Sequence, residues 1–197
     1  MGLNLDNESE REVFKIAAEQ AYSQNPAQTI GNGYNLLFQT PTVKIYMRGD
    51  TVIVAVRGTK INDADDIAAD VSIPLNNLQN SARFKKDLSF VQSIHQYYPN
   101  ATFLGAGHSL GGAIIDLFLE MGLLNSAVTY NPAVQNAHQS SANTRIYNNN
   151  DPLYLVSQHF LKQKPTVKQS RTWASFLSPF ASSLNAHRLN QIKGAGL

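Results

Sequence analysis

The chain is predicted to fold as a single α/β domain, a mostly parallel central sheet flanked by helices. Three observations point there. Short β-branched runs alternate with amphipathic helical segments from about residue 9 to residue 147. One of them, Thr51-Val-Ile-Val-Ala-Val-Arg57, is apolar on both faces, as a strand inside a sheet must be. The third is Thr102–Asp116, where an apolar strand runs through G-x-S-x-G (Gly107, Ser109, Gly111) into a helix-compatible apolar run.

Taken in order, Ser9–Ser23 reads as a helix. A capping-box-like Ser9-Glu-Arg-Glu12 precedes Val13, Phe14, Ile16, Ala17 and Ala21 at helical spacing, and Asn25-Pro26 closes it. Leu36–Phe38 and Val43–Met47 are short strands, and Gly49-Asp50 turns the chain into the Thr51–Arg57 strand. Residues 60–77 are polar and acidic. Phe84, Leu88, Val91, Ile94 and Tyr98 then mark an amphipathic helix from about Leu78, ended by Pro99-Asn100. Strand Thr102–Ala106, helix Leu110–Met121 and strands Ser126–Tyr130 and Thr144–Tyr147 follow. The tail from Asp151 reads as mixed helix and loop. No repeat, low-complexity stretch or linker divides residues 1–197, whose length suits one domain with a substantial core.

Hydrophobic content of 43% and charged content of 15% are those of a globular chain, and a net charge of +2 with scattered basic residues argues against a nucleic-acid partner. Lys162, Lys164, Lys168 and Arg171 form the one local basic excess. A solvated loop is its expected role, a contact with anionic lipid the alternative. Without cysteine there is no thiolate nucleophile, disulfide or cysteine-ligated metal. The first residues lack the basic and apolar regions of a signal peptide, and no apolar run approaches the roughly 18–20 residues of a membrane span. A cytoplasmic or virus-encoded intracellular setting is therefore expected.

Ser109 is the candidate nucleophile. A serine hydroxyl needs a sharp strand-to-helix turn that exposes it, a base, and backbone N–H groups aimed at the developing oxyanion. In turns of this kind the chain order is Ser, then acid, then His. Beyond the helix carrying Asp116 and Glu120 the only acid is Asp151, just past a strand and before Pro152. Of the five histidines, His108 adjoins Ser109 and leaves the turn in another direction, while His95 and His138 precede the acid. His187 is favoured over His159 on order, both remaining open. Leu110 N–H and a donor at Thr59, at the exit of the strongest strand, would form the oxyanion hole.

Together these residues resemble the class 3 lipase family, the group of the filamentous-fungal triacylglycerol lipases. Ala55-Val-Arg-Gly-Thr59 is similar to its oxyanion strand and Asp66-Ile-Ala-Ala-Asp70 to the segment after it. Gly107-His-Ser-Leu-Gly-Gly112 is similar to its elbow, Tyr130-Asn-Pro132 to a following strand end, Arg145-Ile-Tyr-Asn-Asn-Asn-Asp151 to its acid loop, and His187-Arg-Leu189 to its terminal histidine. The resemblance covers roughly residues 10–190. It implies an α/β-hydrolase-like fold and an acyl-ester hydrolase with Ser109, Asp151 and His187 as triad, Thr59 and Leu110 as oxyanion donors, and Asp70 as the residue holding Thr59. It implies no cofactor and no metal.

Where the family often carries a tryptophan in an amphipathic lid, this chain has Ile67 after the polar segment Lys60–Asp66. Such a flap has little apolar face to lay on oil, so weak interfacial activation is expected. Trp173, Phe176, Leu177, Phe180 and Leu184 suit either a C-terminal core helix, or else an acyl-pocket wall or a surface facing a membrane in transient contact. A lipid or small acyl ester is the expected substrate, with phospholipase A1-type cleavage included; the oligomeric state is left open. The rival readings are a lipase-fold module kept for lipid binding or assembly, and an amidase on the same three residues.

Overall fold

In the computed structural model, which describes residues 8–59, 77–133, 140–148, 151 and 166–168, one eight-stranded sheet runs through the chain. Its strands are β1 (Thr29–Ile30), β2 (Tyr34–Gln39), β3 (Val43–Arg48), β4 (Thr51–Val56), β5 (Thr102–His108), β6 (Ser126–Tyr130), β7 (Asn143–Asn148) and β8 (Thr166–Lys168). Helices α1 (Glu8–Gln20), α2 (Ala82–Tyr97) and α3 (Leu110–Glu120) cover it. Spatial order follows sequence order. The strands from β1 to β4 pair antiparallel and those from β4 to β8 parallel. The α/β class read from the alternation holds, and the parallel half is the half that carries the site.

β4 shows why its sequence is apolar throughout. Val52, Val54 and Val56 pack with α2 and α3 on one face, while Ile53 and Ala55 pack with α1 on the other. All five are fully buried. Each large one is worth about 1.5–3 kcal/mol relative to an exposed position. β5 continues the division: Phe103 faces α2 and α3, and Leu104 and Ala106 face α1.

Element ends differ from the sequence reading for local reasons. The second helix begins at Ala82 because the Ser81 hydroxyl accepts the Phe84 N–H at 3.1 Å, and a 3₁₀ turn over Leu78–Asn80 precedes that cap. Ser9 is the second residue of α1 rather than its cap. β8 lies within the tail expected to be helix and loop, so Lys168 belongs to a strand, paired with Asn148, and not to a loop.

α3 has no polar face: every residue from Leu110 to Leu119 is buried. Its one buried charge, Asp116, is satisfied from β7. Arg145 Nη2 donates to Oδ1 at 2.5 Å and Arg145 Nε to Oδ2 at 3.3 Å, and Asn143 Nδ2 adds a bond of 3.0 Å. Burial raises the Asp116 carboxyl above its usual range, against the pull of Arg145. Among the described residues no helix is long and apolar enough to cross a membrane.

Candidate active site

Ser109 joins β5 to α3 with φ 56° and ψ −127°, a left-handed backbone that a residue with a side chain rarely adopts. Such a conformation costs about 1–3 kcal/mol and persists only where its surroundings impose it. They do so here. Ser109 N–H donates to the Tyr130 carbonyl at 3.2 Å, and its own carbonyl accepts from Gly112 N–H at 2.9 Å and Ala133 N–H at 3.0 Å.

The glycines on either side let strand and helix close to backbone contact. A Cβ at Gly107 would lie 2.8 Å from the Gly111 carbonyl, and one at Gly111 would run into the Val56 carbonyl of β4. The serine occupies the N-cap position of α3, yet its side chain makes no capping bond. Its Oγ is buried and has no hydrogen-bond partner among the described residues. A buried hydroxyl left unpaired is unfavourable by about 1–3 kcal/mol, so its presence marks a group kept for something else.

Asp151 lies past β7, fully buried, with its N–H donating to the Asn148 carbonyl at 2.9 Å. Because β4, β5, β6 and β7 are parallel, the exits carrying Thr59, Ser109 and Asp151 share one edge of the sheet, where α/β sheets place functional groups. Thr59 follows β4, the neighbour of β5 on one side, and Asp151 follows β7, the second strand from β5 on the other. Leu110 is the first residue of α3, where N–H groups lack intrahelical partners.

His187, His159 and Asp70 lie outside the described residues, as do Lys60–Asp66, Ile67 and the apolar set from Trp173 to Leu184. His95 bonds the Leu123 carbonyl through Nε2 at 2.6 Å, and His108 Nδ1 lies 2.8 Å from the Tyr22 hydroxyl. Among the described residues no group of three or more His, Cys, Asp or Glu side chains could hold a metal.

Three positioning residues went unnoticed in the sequence reading. Asn131, buried and at φ 40°, bonds the Ile146 carbonyl through its N–H at 2.7 Å and accepts Asn148 N–H on Oδ1 at 2.8 Å. It thereby welds the ends of β6 and β7 between the serine and the acid. Arg83 of α2 donates to the Arg57 carbonyl at the exit of β4, while Arg57 N–H is held by the Thr42 carbonyl at 2.9 Å. Tyr22, beyond the end of α1, accepts Gly58 N–H at 3.0 Å. Its hydroxyl, pushed up to about 12 chiefly by burial, stays a donor at any working pH. Of these, only Asn131 sat in a quoted motif; the partners of Tyr22 and Arg83 are too distant in sequence for a local pattern to reveal.

No protein-family model matches the chain, and no curated protein matches it. Solved structures do. The Lip2 lipase of Yarrowia lipolytica superimposes with a TM-score of 0.55 at 16% identity, covering 78% of this chain and 75% of that one. A triacylglycerol lipase from Penicillium expansum gives 0.53 at 16%, covering 83% and 80%. A triacylglycerol lipase described as having a serine protease triad at its catalytic centre gives 0.55 at 15%, covering 97% and 94%. The chain thus has the fungal-lipase fold, a variant of the α/β-hydrolase arrangement.

Proposed function

We propose that this lipase-fold protein is a serine hydrolase of carboxylic esters, acting on lipids or smaller acyl esters through an acyl-enzyme on Ser109. The observation that carries the reading is the strained turn at Ser109. An otherwise costly backbone is imposed by three hydrogen bonds, and it presents a hydroxyl that caps nothing and bonds nothing among the described residues. The neighbouring lipase structures, one with a serine protease triad by its own description, support the same chemistry.

In this mechanism His187 takes the Ser109 proton as Oγ attacks the ester carbonyl. The resulting oxyanion is held by Leu110 N–H and by Thr59, which Asp70 keeps in place. His187 returns the proton to the departing alcohol. Water, deprotonated by the same imidazole, then attacks the acyl-enzyme and releases the acid. Asp151 fixes the imidazole tautomer and stabilises its cationic form. The head group is left open, phospholipase A1-type cleavage included. Transient contact with a membrane surface fits a lipid substrate.

The test is labelling by a fluorophosphonate probe alongside turnover of p-nitrophenyl esters. Wild type is expected to react on Ser109 and to turn over, while Ser109→Ala and His187→Ala each lose on the order of 10⁶ in turnover, as in subtilisin. A folded wild type inert to both reagents would sink the proposal and favour a lipid-binding module. Full activity of His187→Ala with loss in His159→Ala would reassign the base.

A further inference from the structure

Among the buried polar groups near Ser109 that this mechanism leaves unused, one cluster connects directly to the reacting centre. Tyr22 stands between the two chain segments that must be held together for an oxyanion to form. Its Oη accepts Gly58 N–H at 3.0 Å and lies 2.8 Å from His108 Nδ1. A phenolic oxygen has one proton and two lone pairs, so it can bond Gly58 N–H and His108 Nδ1 at the same time.

Gly58 immediately precedes Thr59, and His108 immediately precedes Ser109. The fit between these segments is tight: a Cβ at Gly58 would lie 2.5 Å from Tyr22 Oη, 2.7 Å from the His108 carbonyl and 3.1 Å from Ser109 Cβ. The tyrosine ring is further held edge-on to His108, with centroids 5.8 Å apart and planes at 62°.

We infer that Tyr22 is a positioning residue for ester hydrolysis: its single hydroxyl, shared between Gly58 N–H and His108 Nδ1, sets the distance between the Thr59 donor and Ser109. The inference rests on the serine-hydrolase reading above. An oxyanion donor matters only when charge develops on the carbonyl oxygen, so a donor displaced by a fraction of an ångström weakens transition-state binding and leaves ground-state binding nearly intact. A merely structural tyrosine would instead lower the folded fraction and leave each folded molecule with its normal rate.

The experiment is Tyr22→Phe, which keeps the ring and removes only the hydroxyl. Rates on p-nitrophenyl butyrate are expressed per active site, counted by fluorophosphonate titration. The expected result is a kcat lowered about 10- to 100-fold with KM within about twofold. Affinity for an alkylboronic acid, which mimics the tetrahedral intermediate, should fall in the same proportion. An unchanged kcat per active site in Tyr22→Phe, with an active wild type, overturns the positioning role and leaves the hydrolase reading standing. A wild type that neither turns over the ester nor binds the boronic acid overturns both. Should Tyr22→Phe fail to fold, His108→Asn and His108→Leu ask the same question. Asparagine keeps a hydrogen-bonding partner for the hydroxyl and should retain more kcat than leucine; equal rates overturn the inference.

Discussion

Gly58→Ala is the substitution whose effect follows most directly from the packing of the strand exit against the elbow. The new methyl would sit 2.7 Å from the His108 carbonyl, 3.1 Å from Ser109 Cβ and 2.5 Å from Tyr22 Oη. The first of these is backbone and cannot swing aside. Restoring an ordinary contact requires about 0.7 Å of separation between the exit of β4 and the elbow, and misplacement on the 1 Å scale costs about 10²-fold in rate. Part of the movement is blocked from behind, because Arg57 is held by both Thr42 and Arg83. Overpacking of this kind destabilises by about 1–3 kcal/mol. In a domain of this size that lowers Tm by roughly 2–4 °C per kcal/mol. The expected outcome is a folded variant with a modestly reduced Tm and kcat down about 10- to 100-fold on a p-nitrophenyl ester. Wild-type Tm and kcat together would refute the claim that this exit abuts the elbow.

Three further outcomes are expected. Ser109→Gly should abolish ester turnover yet unfold at higher denaturant than Ser109→Ala, by about 1 kcal/mol or more, because glycine relieves the strain at φ 56°; equal midpoints in urea would show that the turn is unstrained. Asp116→Ala should destabilise by about 3–5 kcal/mol, since it leaves the buried Arg145 guanidinium without its carboxylate, whereas Asp116→Asn should cost less; chemical unfolding of the two variants gives the comparison. Turnover across a p-nitrophenyl ester chain-length series should rise smoothly through the micellar limit, as expected from the polar sequence Lys60–Asp66, which offers little apolar surface to a lipid; a sharp jump there would contradict that expectation.

How much of this was legible beforehand depends on the range over which the deciding contact acts. β4 announced itself because burial on two faces demands an unbroken apolar run, and that demand is met within six residues. The elbow was legible for a related reason: Gly107 and Gly111 are required by backbone-to-backbone approach within one short turn. The two-residue β1 and three-residue β8 carry no usable period, and β8 takes its form from pairing with β7 rather than from its own residues.

The serine and the acid could be selected because chain order and the scarcity of acids after α3 narrowed the choice. That β5 and β7, the strands preceding them, end on the same side of the sheet follows from parallel pairing, which the strand–helix alternation already implied. The clamp around the exit of β4 was not legible. Tyr22 reaches Gly58 across 36 positions and His108 across 86, and a lone tyrosine at the end of a helix is indistinguishable in sequence from ordinary core. Asn131 was visible as part of Tyr130-Asn-Pro132, but its role depends on a positive φ that only coordinates reveal.

The most direct trial of the account is a crystal structure of the protein inactivated by diethyl p-nitrophenyl phosphate. The account predicts phosphorus bonded to Ser109 Oγ and a phosphoryl oxygen accepting from Leu110 N–H and Thr59. His187 should stand beside the adduct with its other ring nitrogen on Asp151. An adduct on a different residue, or an imidazole at 187 remote from Asp151, would contradict it.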